Sequence, residues 1–133
     1  MTFSASDVMG RKGGRSVRLE YDVDSPNPAF NGFWLKLNEP AKSFKALIFF
    51  IKGDQSAGFT KKLKAEIKFS DQQKSVYLIE NITDQYKRYR LEITPPGNKS
   101  RLTEFTIVFD DQTSQPKKGA VFLDEIELEK TAP

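Results

Sequence analysis

Apolar residues recur at every second position in segment after segment of this chain, and that period of two limits its fold more than any other feature. In residues 15–24, Val17, Leu19, Tyr21 and Val23 fall on one side while Arg18, Glu20 and Asp22 fall on the other, the pattern of a half-buried strand. Residues 61–70 repeat it, with Leu63, Ala65, Ile67 and Phe69 inward and Lys62, Lys64, Glu66 and Lys68 outward, and residues 87–94 place Tyr89, Leu91 and Ile93 inward. The run Ala-Leu-Ile-Phe-Phe-Ile at 46–51 is apolar on both faces, as a central strand covered on both sides would be. Further strands are expected in "GFWLKL", "SVYLIEN", "EFTIVFDD", "VFLDEIELEK" and the opening stretch.

The connections, such as "DSPNPAFNG", "KGDQSAGFTK", "TPPGNKSR" and "DDQTSQPKKG", are rich in Pro, Gly, Asn and Asp, which supply the backbone angles of turns. No segment carries a sustained 3.6-residue apolar stripe. About eight antiparallel strands in a β-sandwich or jelly roll are therefore expected, an all-β fold. Residues 15–133 should form that single domain, and residues 1–14, glycine-rich and basic at "MGRKGGR", a loose arm or an edge segment.

With 133 residues, 38% hydrophobic content and 11 Phe, the chain can build one real core. It has no cysteine and no histidine, which removes thiol chemistry and the commonest general base and metal ligand, and lowers the expectation of an enzyme. A net charge of +3 spread among alternating acids and bases describes a mixed surface, so nucleic acid is not the expected partner. No apolar run approaches the length of a membrane span, and no signal-peptide core is visible.

One residue breaks the pattern. Strict alternation through Val121–Lys130 puts Asp124 on the same face as Phe122, Ile126 and Leu128. A buried, unpaired carboxylate costs several kcal/mol. A β-bulge at Asp124 and Glu125 would resolve this, letting Val121, Leu123, Ile126 and Leu128 share the core face while both acids turn outward.

The order "VRLEYDV", "NGFWLKL", "SFKALIFFIKGD", "AEIKF", "YKRYRLEI", "LTEFTIVFDD" and "KKGAVFLDEIELEK", spanning about Arg15 to Glu129, resembles the galactose-binding-like jelly-roll carbohydrate-binding modules carried by bacterial glycanases, particularly the glucan-binding type. The shared features are patterns of strand and turn, so they speak for fold more strongly than for ligand. The resemblance implies a non-catalytic module that binds a polysaccharide or oligosaccharide, a monomer outside the cytoplasm and part of a larger protein, with a glycanase attached or as partner. It also implies a structural calcium ion held by Asp124, with Asp7 or backbone carbonyls as further ligands, and this stands beside the bulge as an open alternative. Such modules often carry Trp where this chain has Tyr86.

Sugar recognition needs an aromatic surface for C–H faces and polar side chains for hydroxyls. Trp34 lies in antiphase to Phe33, Leu35 and Leu37 and is expected on a sheet surface. Tyr77, in antiphase to Val76 and Leu78, could extend that platform, and Tyr86 could line a rim. Arg18, Glu20, Asp22, Arg88 and Arg90 are the hydrogen-bonding candidates. The alternative on the same fold is a protein-interaction or assembly domain, with Trp34 as its anchor.

Overall fold

The computed structural model describes residues 2–9 and 15–132, with side chains from Ser16 onward. Residues 10–14 of the glycine-rich arm lie outside the described residues. Among the described residues nine strands follow one another: β1 (Thr2–Met9), β2 (Arg15–Asp22), β3 (Phe30–Pro40), β4 (Phe44–Gly53), β5 (Leu63–Phe69), β6 (Lys74–Ile79), β7 (Lys87–Glu92), β8 (Arg101–Asp110) and β9 (Lys118–Lys130). A 3-10 turn, Ala41–Ser43, joins β3 to β4.

The strands form two antiparallel sheets. One has the order β1-β2-β9-β4-β7 and the other β3-β8-β5-β6. Because alternation is strict, each sheet contributes one apolar face to a shared core. Leu19, Tyr21, Leu47, Phe49, Ile51, Leu91, Val121 and Leu123 come from the first, and Leu63, Ala65, Ile67, Leu102, Phe105, Ile107 and Phe109 from the second. Aromatic contacts join the two layers: Tyr21 stacks on Phe109 with centroids 4.3 Å apart, and Phe49 meets Phe105 at 5.4 Å. The Tyr21 hydroxyl donates to the carbonyl of Pro116 at 2.9 Å, so the phenol's one polar atom is satisfied inside the core.

Asp124 is answered by pairing. Phe50 of β4 faces Asp124, but Ile48, two residues earlier, faces Glu127, so β9 carries one residue too many between them. Glu125 takes a φ of +50°, and Ile126 and Leu128 return to pack on the core beside Val121 and Leu123. This is the β-bulge: the extra residue resets the phase so that the acids leave the core.

Two glycines let the segment after β4 lie close against the sheet. A Cβ on Gly119 would stand 2.3 Å from the Gly58 carbonyl oxygen, and one on Gly53 would stand 2.1 Å from the Phe59 ring. The space a side chain would need is taken by the 54–59 segment, whose Gly58 carbonyl accepts the Ala120 N–H at 3.0 Å.

Candidate functional site

The outward face of the five-stranded sheet can be read off the register. Crossing from β7 through β4 to β9, the outward rows are Glu92–Ala46–Glu129, Arg90–Ile48–Glu127 and Arg88–Phe50–Asp124; the next row runs from Lys52 of β4 through Phe122 of β9 to Arg18 of β2. This face points away from the core, yet Ala46, Ile48, Ala120 and Phe122 on it are 0%, 3%, 0% and 6% exposed. Longer neighbours cover them. The Arg90 guanidinium reaches Glu129 at 3.3 Å, and since β7 and β9 flank β4, this ion pair passes over Ala46 and Ile48. The result is an apolar floor beneath charged side chains.

At the centre of the face, the Lys52 ammonium lies over two rings, 4.8 Å from the Tyr86 centroid and 5.3 Å from that of Phe122. Tyr86 is carried by the segment between β6 and β7, which is pinned to the end of β4 where the Gly53 N–H donates to the Thr83 carbonyl at 2.7 Å. The hydroxyls of Tyr86 and Ser16 are buried without a hydrogen-bond partner among the described residues. Burial pushes the Tyr86 phenol above its ordinary value and the Asp124 charge pushes the same way; Ser16 is near enough to oppose that shift without reaching hydrogen-bonding geometry.

Arg18 organises the β2 side. Its guanidinium donates to Glu20 at 2.7 Å and to Asp54 at 3.1 Å. The other Asp54 oxygen accepts the Ser56 and Ala57 amides, so the carboxylate ties the 54–57 turn to the sheet. A depression of about 280 Å³ lined by Arg18, Glu20, Asp22, Ala57 and Lys118 continues the face here. Asp22 is held below the ordinary carboxylate range by the Asp24 amide, then by Asn27, so it serves its own turn as well as the depression's rim.

Arg18, Glu20, Asp22, Tyr86, Arg88 and Arg90 thus gather on one sheet, whereas Trp34 and Tyr77 do not join them. Trp34 is 57% exposed on the outer face of the four-stranded sheet, opposite Thr106. Nor do Trp34 and Tyr77 make one platform. Tyr77 packs against the core and its hydroxyl donates to the Glu92 carbonyl, while Val76 and Leu78 are the exposed residues of β6. Alternation separated Tyr77 from its neighbours correctly but leaves open which set faces in.

Sequence reasoning passed over Phe50, Lys52, Asp54 and Phe122. The available signal was the antiphase of Phe122 to Val121 and Leu123, which already placed an aromatic ring outward. Among the described residues, no group of three acidic side chains is placed to hold a metal ion. Asp124 turns one carboxylate oxygen onto the Glu125 amide at 3.0 Å. The side chain of Asp7 lies outside the described residues.

No protein-family model matches this sequence, and no curated protein matches it either. Solved structures do. The family 11 carbohydrate-binding module of Clostridium thermocellum, in complex with a β-1,3-1,4-mixed-linked tetrasaccharide, superposes with a TM-score of 0.68 at 17% identity, over 98% of this chain and 84% of that one. The fold is that of the jelly-roll carbohydrate-binding modules. A module of family 61 in complex with β-1,4-galactotriose shares this jelly roll with a TM-score of 0.56 at 14% identity, over 98% of this chain and 88% of that one. An exo-β-agarase contains the same jelly roll at TM-score 0.76 and 11% identity; 99% of this chain aligns, spanning 22% of the agarase chain.

Proposed function

We propose that this jelly roll binds a polysaccharide or oligosaccharide on the outward face of its five-stranded sheet and does not cleave it. The observation that carries the reading is the apolar and aromatic floor of Ile48, Phe50, Phe122 and Tyr86, set among Arg18, Glu20, Lys52, Arg88 and Arg90. Sugar C–H faces pack on such a floor, and fixed ionic side chains supply the hydrogen bonds that hydroxyls require. Ion pairs such as Arg18–Glu20 and Arg90–Glu129 hold those groups in place before any ligand arrives. Jelly rolls of this kind in complex with a mixed-linked glucan tetrasaccharide and with galactotriose support the ligand class.

The carboxylates whose pKa is displaced suit binding rather than acid catalysis. A glycosidase acid needs a carboxyl held above its ordinary pKa. Asp22, Glu104, Asp110 and Glu129 are all displaced downward, Glu129 by Lys45 and then Arg90. The match to short portions of glycoside-active chains supports a module working beside a catalytic domain.

The test is calorimetric titration with soluble β-glucans, xylans, mannans and galactans. Tyr86→Ala should lower affinity about fivefold, the equivalent of about 1 kcal/mol for one ring contact. Trp34→Ala should leave it unchanged. Loss of glycan binding in Trp34→Ala but not in Tyr86→Ala would move the site to the other sheet.

A second reading has its own observation. Trp34, Leu35, Val76 and Leu78 are exposed apolar residues on the two edge strands of the four-stranded sheet, a composition suited to a protein interface. Loss of a protein partner in Trp34→Ala, with glycan binding intact, would establish that role for this sheet.

A further inference from the structure

Several ionic side chains of the outward five-stranded face are matched with one another. Arg18 pairs with Glu20 at 2.7 Å and Asp54 at 3.1 Å; Arg90 pairs with Glu129 at 3.3 Å and Glu92 at 3.5 Å; Lys45 pairs with Glu129 at 3.1 Å. Among the described residues three cations stand outside this scheme: Lys118, beside Asp22 at the rim of the depression, and the pair Lys52 and Arg88. Arg88 makes no ion pair or side-chain hydrogen bond among the described residues, and Lys52 touches only the π faces of Tyr86 and Phe122. The nearest acid in the same row as Arg88 is Asp124, which lies across the whole width of β4 with Phe50 between them, two strand spacings or about 10 Å away. Asp124 is itself turned onto the bulge amide. Glu127 belongs to the Arg90 row, beyond Ile48.

Lys52 and Arg88 are diagonal neighbours, since Arg88 faces Phe50 and Lys52 follows two residues later on the same side of β4. Their backbones therefore lie about 7–8 Å apart, and their long side chains can converge on one group. A ring face attracts an ammonium but accepts none of its three N–H donors in a directed bond, so Lys52 keeps donors for an incoming oxygen. The Arg88 fork fits a planar carboxylate or two sulfate oxygens bidentately. A neutral sugar hydroxyl would use only part of this charge.

We propose that Lys52 and Arg88 recognise an acidic group on the glycan, and that the ligand is a polysaccharide whose rings carry carboxylate or sulfate. The proposal rests on the carbohydrate reading of this face and deepens it. Polygalacturonate and alginate test the carboxylate, a sulfated galactan tests the sulfate ester, and carboxyl-reduced and desulfated preparations of the same polymers supply the neutral counterparts.

By calorimetry in 50 mM salt, one acidic polymer should bind at least about tenfold more tightly than its neutral counterpart, with the gap narrowing in 500 mM salt as screening sets in. Lys52→Met and Arg88→Gln should each weaken that acidic polymer about fivefold and leave the neutral one unchanged, while Arg88→Lys recovers part of the loss. Lys36→Gln, which removes an exposed cation from the other sheet, should have no effect. Equal affinity for acidic and neutral forms, or an equal loss in Lys36→Gln, would overturn the proposal and leave the carbohydrate reading standing. Binding of none of these polymers would overturn the proposal, and binding of none of the neutral β-glucans, xylans, mannans and galactans either would overturn the carbohydrate reading with it.

Discussion

Removing Glu125 alone should leave this protein folded, although it shortens a strand at the centre of the larger sheet. Phe50 faces Asp124 and Ile48 faces Glu127, so Phe49 is opposed by both Glu125 and Ile126. Without Glu125, Phe49 meets Ile126 in a regular ladder, and Val121, Leu123, Ile126 and Leu128 stay in phase on the core face. The deletion also removes a non-glycine residue at φ +50°, a conformation that costs roughly 1–2 kcal/mol. Deleting Glu127 instead is the matched control. It sends Leu128 outward and swings Glu129 toward the core, away from Lys45 and Arg90. Exposing the leucine costs about 2 kcal/mol, and burying the carboxylate several more.

For a domain of this size, 1 kcal/mol corresponds to a shift in Tm of about 4 °C. Calorimetric melting should therefore place the Glu125 deletion within about 5 °C of the parent protein. The Glu127 deletion should fall by at least about 10 °C or fail to fold. If the Glu125 deletion proved as damaging as the Glu127 deletion, the bulge would not be a device for restoring phase, and the argument from pairing would be wrong.

Three other outcomes follow from the same structure. Gly119→Ala sets a Cβ 2.3 Å from the Gly58 carbonyl oxygen, a backbone atom that cannot step aside, so thermal melting should show a loss of about 2–3 kcal/mol; an unchanged Tm would mean that the 54–59 segment is not seated on the sheet. Burial pushes the Tyr21 phenol up to about 12, and the unfolded chain releases that proton near 10. The stabilisation is complete below about pH 10 and lost as pH rises toward about 12, so denaturant midpoints should fall over that interval in the parent and fall less in Tyr21→Phe. Finally, a chelator should leave the Tm unchanged if the bulge alone accounts for Asp124; a calcium-dependent rise abolished by Asp124→Asn would instead assign an ion to that carboxylate, with Asp7 the first additional ligand to test.

Much of the fold was legible because alternation is a local property. Leu63, Ala65, Ile67 and Phe69 are buried in the structure on the side their spacing assigns, and the both-sided apolar run at 46–51 does become a central strand, flanked by β9 and β7. The candidate site was legible only in pieces. Arg18, Arg88 and Arg90 were found as outward residues, but so was Trp34, and nothing in a period of two distinguishes the outside of one sheet from the outside of the other. Tyr77 shows the same limit on one strand, where Val76 and Leu78 are as apolar as the inward set and the partner strands decide which side is covered.

The sequence by itself determined the all-β class, the places where the chain turns, and which residues of most strands share a side, because backbone pleating and turn chemistry act over a few neighbouring residues. Only the tertiary structure decided which strands became neighbours. That choice brought Lys52, Tyr86 and Phe122, distant in sequence, into one cluster, sent Trp34 to the opposite surface, and gave the Asp124 bulge its partner strand. Those contacts arise from hydrogen-bonded pairing between segments tens of residues apart, and no local periodicity carries that information.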